Sequence, residues 1–225
     1  MSEHQTQVWL SDCLTNPKHI AFYRHDKPHD FNGFVDGLHR GDPLTPEQLP
    51  SKIWPKDMRN AERGERVKRI RSFALATGGV MVISPKLAAL LREFDLGAVD
   101  DAGPDARRIQ LSPIEQRTAE DGKLVGQLYL LHVATQKESL NSRSSAGVSI
   151  TETKQGPFVD INPFERVSLM LSAESLHGPD IWRERWLRRG ILFSDRIVRA
   201  MRDAQIREIS FQPCVIDDAP NGTNA

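Results

Sequence analysis

The sequence predicts an α+β fold: a mixed or antiparallel sheet with helices on one face. Three observations predict it. A unit of strand, serine-capped helix and strand occurs twice. A long alternating stretch between the two copies has strand character. The apolar content of 39% and charged content of 27% suit a chain with a real hydrophobic core. One domain over residues 1–215 is expected, because each copy of the unit looks incomplete alone and must bury its apolar face against something.

Residues 1–70 are irregular in pattern. Gln7-Val8-Trp9-Leu10 has the character of a short strand, and six prolines between Thr15 and Pro55 break the next forty residues or so into loops. His19, His25, His29 and His39 fall here. Pro28 separates His25 from His29 and argues against a helical ligand pair. Six basic residues between Arg59 and Arg71 face only Glu62 and Glu65, the spacing of a charged, solvated helix.

The first repeat unit spans about residues 80–113 and the second about 190–213. Val82-Ile83-Ser84-Pro85-Lys86-Leu87 aligns without a gap on Leu192-Phe193-Ser194-Asp195-Arg196-Ile197. In each, an apolar run leads to a serine whose hydroxyl can cap a helix. Pro85 suits the first helical position, where its missing N–H costs nothing, and Asp195 there faces the positive end of the helix dipole. Leu87, Leu90, Leu91 and Phe94, then Ile197, Val198, Met201 and Ala204, recur at helical spacing. Both copies close alike, with Ile109-Gln110-Leu111-Ser112-Pro113 and Ile209-Ser210-Phe211-Gln212-Pro213. Alternation predicts a half-buried strand, and the proline predicts a strand end or edge. The first copy carries an acidic insertion around Asp100 to Arg107, where Asp100, Asp101 and Asp105 are candidate contact residues because loops carry function more often than scaffold does.

Between the copies, Gly126 to Ala134 is the best strand candidate, and His132 within it is expected to be a core histidine. Residues 135–157 are polar and serine-rich and are expected to form a mobile loop with at most one short strand. Phe158–Ile161 and Ser168–Leu171 are further short-strand candidates. Seven arginines from Arg183 to Arg202 accompany Trp182 and Trp186. Four-residue spacing predicts that the tryptophans face the core from a short helix, with the arginines solvated or paired. Residues 216–225 are expected to be a disordered tail.

Chemistry is excluded more readily than it is assigned. Thirty Lys plus Arg balance thirty Asp plus Glu, which disfavours a general nucleic-acid binder. The two cysteines, Cys13 and Cys214, form no Cys-x-x-Cys pair, so no thiolate zinc site and no cofactor is expected. No phosphate loop, dinucleotide turn, His-Glu-x-x-His or Gly-x-Ser-x-Gly is present. No apolar run approaches a membrane span of about 18 residues, and no secretory leader is visible. The expected compartment is the cytoplasm.

Gly79 to Val99, Arg108 to Glu115 and Gln127 to Val133, with Asp180 to Arg183 and Gly190 to Phe211, resemble the eleventh immunity protein family of bacterial polymorphic toxin systems, formerly classed as a domain of unknown function. His132 stands where that family's strand usually has Asn, and Gln205 and Arg207 replace its expected small residues. The resemblance implies a non-enzymatic protein that binds and neutralises a cognate toxin domain, often a nuclease. Asp100, Asp101 and Asp105 would then contact the toxin, and Ser84, Pro85, Ser194 and Asp195 would be structural caps. Two other readings stand beside it: a nucleic-acid-associated protein using the arginines of 181–202, and an enzyme without a linear motif using His19, His25 or His132.

Overall fold

The computed structural model of the chain describes residues 6–21, 23–27, 37–38, 41–42, 44–45, 47–55, 70–97, 109–118, 121–153, 156–162 and 166–217. Its described elements are seventeen strands, two α-helices and three 3₁₀ turns. The N-terminal half holds β1 (Val8–Ser11), β2 (Tyr23–His25), β3 (Lys52–Pro55), β4 (Phe73–Leu75), β5 (Met81–Ile83), α1 (Pro85–Leu91), β6 (Ile109–Arg117) and β7 (Leu124–Val133). Then come β8 (Gln136–Lys137), β9 (Leu140–Ala146), β10 (Val148–Thr153), β11 (Gly156–Ile161) and β12 (Ser168–Ser172). The chain continues with β13 (Ile181–Glu184), β14 (Leu187–Arg188), β15 (Ile191–Ser194), α2 (Asp195–Asp203), β16 (Phe211–Pro213) and β17 (Val215–Asp217). The strands form four sets: β2-β3-β6-β7-β5-β4, β16-β1-β15-β13-β8, β10-β11-β14 and β17-β12-β9.

The expected α+β arrangement, with helices covering one face of a sheet, is overturned. The described residues are mostly β, and the two α-helices among them, of seven and nine residues, are too short to cover a sheet. They pack against each other and against β7, β15 and β1, between the sheets rather than on one sheet's face. Leu87 and Leu91 of α1 and Ile197, Val198 and Met201 of α2 enter one core with Met81, Ile83 and Leu131 of the six-stranded set and Ile181, Ile191 and Phe193 of the five-stranded set. The helix pair thus joins two sheets. Lys86 Nζ donates to the carbonyl of Ala204 at 2.6 Å, tying the start of α1 to the end of α2.

Ser84 Oγ accepts from Leu87 N–H at 3.2 Å, and Ser194 Oγ accepts from Ile197 N–H at 3.4 Å. Pro85 and Asp195 follow them as first helical residues. Asp195 also accepts from Trp9 Nε1 at 2.9 Å and pairs with Arg199 at 2.8 Å. At the other end of α2, Ile206 N–H donates to Met201 O and Gln205 N–H to Arg202 O, both at 2.9 Å. This is a Schellman stop whose left-handed position is Gln205, at φ 58°.

The duplicated unit is larger than the sequence repeat. β6-β7-β5-β4 and β16-β1-β15-β13 have the same order, and every neighbouring pair in both is antiparallel. In the first copy Tyr129 faces Ile83 on one side and Pro113 on the other. In the second, Trp9 faces Phe193 and Pro213. The fourth strand of the second copy is therefore supplied from the N-terminal end of the chain, and Gln7-Val8-Trp9-Leu10 corresponds to Gln127-Leu128-Tyr129-Leu130.

Several local expectations are corrected. Residues 135–157, read as a mobile loop, hold β8, β9, β10 and the start of β11. Trp182 and Trp186 do not share a helix: Trp182 is buried in β13, and Trp186 lies in the turn before β14. Pro113 does not end its strand. β6 runs on to Arg117, and Pro113 sits exposed where β6 has only β7 beside it, so its missing N–H breaks no ladder. β17 takes two residues of the expected tail, Ile216 and Asp217, and residues 218–225 lie outside the described residues.

Candidate interaction surface

β11 and β14 run parallel, with Val159 opposite Leu187 and Asp160 opposite Arg188. Val159 N–H donates to Trp186 O at 2.9 Å and extends the pairing into the turn. Alternation then divides the side chains. Val159, Ile161 and Leu187 are buried in a core with Trp182 and Leu192. Phe158, Asp160 and Arg188 take the opposite face, joined by Trp186.

On that face the rings of Phe158 and Trp186 meet edge to face at 6.3 Å. The Arg185 guanidinium lies 4.8 Å from the Trp186 ring centre, and that of Arg188 lies 5.8 Å from Phe158. Arg185 pairs with Glu138, while Arg188 and Arg189 reach Asp160 at 3.7 and 3.2 Å. The three arginine side chains are 51%, 61% and 52% exposed, so these ion pairs orient the guanidinium groups more than they stabilise the fold. Two half-buried aromatic rings under two exposed arginines, with a third beside them on Asp160, have the composition of an interface anchor.

Buried polar contacts hold this face in place. Glu184, in β13, accepts from Ser139 N at 2.8 Å, Leu140 N at 3.1 Å and Trp182 Nε1 at 3.1 Å, and also from Ser139 Oγ. It thereby fixes the start of β9 beside Glu138. Lys137 sits 3.6 Å over the Trp182 ring and donates to the carbonyls of Ser175 and His177 at 3.1 and 2.6 Å. Burial pulls its ammonium down to about 8, against the opposing pull of Glu184, Asp180 and Asp95.

The arginine run of 181–202 does not form one basic surface. Arg183 is buried, and burial lowers its guanidinium to about 10. Arg196 pairs with the buried Asp180 at 2.7 Å, Arg199 pairs with Asp195, and Arg202 lies over Trp9. The candidate contact residues Asp100, Asp101 and Asp105 lie outside the described residues, as does the Arg59–Arg71 run apart from the exposed Arg71.

Two of the candidate histidines, His19 and His132, make local structural contacts. His19 Nε2 bonds Asp12 Oδ1 at 3.0 Å, but that carboxylate also accepts from Asn16 and from Ser210 N–H and ties two loops together. His132 is buried, with Nε2 donating to Asp42 O at 2.7 Å. A cleft of about 330 Å³ at the end of α2 is lined by Arg202, Gln205, Ile206, Arg207, Ile209 and Phe211, with no histidine, cysteine or carboxylate. Among the described residues no group of three His, Cys, Asp or Glu side chains could hold a metal, and no helix is long and apolar enough to cross a membrane.

The sequence placed Trp186 among arginines but read it as core-facing; the structure puts only Trp182 in the core and leaves Trp186 half-buried against Phe158. Phe158, Asp160 and Glu138 were missed as partners, because no local pattern announces that β11 will lie parallel to β14. Compared with known proteins, the chain matches the model of the Immunity protein family (Imm11) over residues 24–215. No curated protein matches it.

Proposed function

The chain belongs to the Imm11 immunity protein family, and on that premise we propose that it binds a cognate antibacterial toxin domain and neutralises it by stoichiometric contact, without turnover. The family match over residues 24–215 carries this reading. The face of Phe158, Trp186, Arg185 and Arg188 is the proposed anchor, within an interface of roughly 1,600 Å². Asp100, Asp101 and Asp105 remain the proposed steering charges. A nuclease toxin is basic around its substrate groove, and an acidic loop would speed the encounter. The reading by nucleic-acid association is weakened, since five of the seven arginines of 181–202 pair with carboxylates.

The test is growth of bacteria expressing the toxic C-terminal domain encoded beside this gene, with and without this protein. Rescue together with a 1:1 complex on size exclusion is the expected result. No rescue and no complex, with both proteins well expressed, would refute the proposal.

A further inference from the structure

β10 is the outer strand of its three-stranded set and, among the described residues, pairs with β11 alone. The register shows which of its groups face away. Asn162 N–H donates to Gly147 O at 3.1 Å, one step beyond the facing pair Val148 and Ile161. In an antiparallel ladder, hydrogen-bonded pairs alternate with pairs that are not. Ser149, Thr151 and Thr153 therefore bond to β11, and Val148, Ile150 and Glu152 turn their N–H and C=O groups outward. The far side of β11 agrees. Val159, opposite Ile150, donates its N–H to Trp186, and Pro157, opposite Glu152, has none to give.

Natural edge strands are blunted by lysine, proline, bulges or a covering segment. Residues 148–153 contain no lysine and no proline, and their six-pair register has no bulge. β9, the other end of the same run of chain, is bulged between Asn141 and Ala146, and its Ser144 N–H is taken by Asn141 Oδ1. The apolar row also stops one strand short. Val148 and Ile150 share a face with the buried Val159 and Ile161, yet Ile150 is 40% exposed.

We propose that β10 is the edge onto which the toxin adds a strand. The added segment would bond to Val148, Ile150 and Glu152, lay an apolar side chain beside Ile150 and bring a Lys or Arg beside Glu152. This rests on the toxin-binding reading above and specifies how that binding occurs. β10 borders the aromatic–arginine face, since Thr151 stands opposite Phe158 and Ser149 opposite Asp160, so one partner can engage both. A second copy of this chain fits less well. Antiparallel self-pairing centred on Ile150 would set Glu152 of each copy against Val148 of the other, placing two carboxylates against valines on the half-buried row.

The experiment is calorimetric titration of the full chain with the adjacent-gene toxin domain, inactivated at its catalytic site, together with hydrogen exchange of the complex. Ile150→Pro removes an outward N–H and no bond to β11. Ile150→Lys puts a charge on the apolar row. Both variants should melt like the natural chain and bind about tenfold or more weakly, and the amides of Val148, Ile150 and Glu152 should become protected on binding. Natural affinity in both variants, with those amides exchanging as in the free chain, overturns strand addition and leaves toxin binding standing. Absence of any binding by the natural chain overturns both. A dimer of the free chain that Ile150→Pro disperses overturns the proposal by assigning the edge to a second copy.

Discussion

Trp9 stands in the second copy of the duplicated unit where Tyr129 stands in the first. The guanidinium of Arg92 lies 4.6 Å from the Tyr129 ring centre, and that of Arg202, its counterpart in the other copy, lies 4.7 Å from Trp9. The stacked arginine at the end of each helix is thus a repeated device that clamps helix to sheet. Trp9→Tyr, the first copy's own solution, should cost less than about 1.5 kcal/mol. Trp9→Ala should cost about 2 kcal/mol, since the ring is only partly buried. Urea denaturation of the two variants measures the difference, and equal losses would contradict the equivalence.

The two capping serines should not respond alike. Among the described residues the Ser84 hydroxyl bonds only the first turn of α1, so Ser84→Ala should cost about 1 kcal/mol. Ser194 caps α2 and also donates to Asp180, a fully buried carboxylate that further accepts from Arg196 Nη2 at 2.7 Å and Asp95 N at 3.0 Å. Ser194→Ala should therefore cost about 2 kcal/mol, as the cap and one donor to a buried charge are lost together. Both variants should still rescue growth, and thermal melts give the ranking.

Gln205 holds the left-handed position that ends α2. Gln205→Gly should raise stability by up to about 1 kcal/mol, because glycine carries no Cβ penalty there. An unchanged or lowered melting temperature would mean that the Gln205 bond to Arg202 O, at 3.3 Å, outweighs the strain.

His132 adds acid sensitivity. Burial depresses its imidazole below the ordinary value of 6.5, and Arg183 pushes the same way against the bond to Asp42 O. A carbonyl only accepts, so Nε2 carries the proton and Nδ1 is left bare without a partner. The folded form prefers neutral histidine. Its contribution is therefore complete above about pH 6.5 and lost as pH falls below it. His132→Asn should flatten the melting temperature between pH 7.5 and 5 relative to the natural chain.

Cys13 and Cys214 are free and buried, and burial raises both thiols to about 12. Neither should react with a thiol reagent at pH 8 until the chain is unfolded, when both should react. Fast labelling of the folded protein would contradict their burial.

What the sequence disclosed was local. Ser84 and Ser194 stand at helix starts because capping is decided within four residues, and the strand through Leu128 to Val133 follows from its own apolar content. What it concealed was lateral. Val148–Thr153 is rich in β-branched residues, but its exposed polar positions masked it as loop. Trp182 and Trp186 mimic a helical spacing because a strand and a tight turn also place side chains four apart. The kinship of Trp9 and Tyr129 was hidden because the two strands occupy different places along the chain. The meeting of Phe158 with Trp186 depends on a parallel pairing that neither segment encodes alone.

The permuted arrangement has a consequence for biosynthesis. The first unit, β4 to β7, is made in one continuous stretch and can close as it leaves the ribosome. The second is closed by a strand made before the first unit: Ser11 must wait for Ile191, 180 residues later. At roughly 5–20 residues per second, that interval is on the order of 10–40 s. Throughout it Val8 and Leu10, both buried in the finished protein, lack β15, the strand they pair with. Closure of the second unit therefore requires β1 to enter between β15 and β16, both made after the first unit is complete.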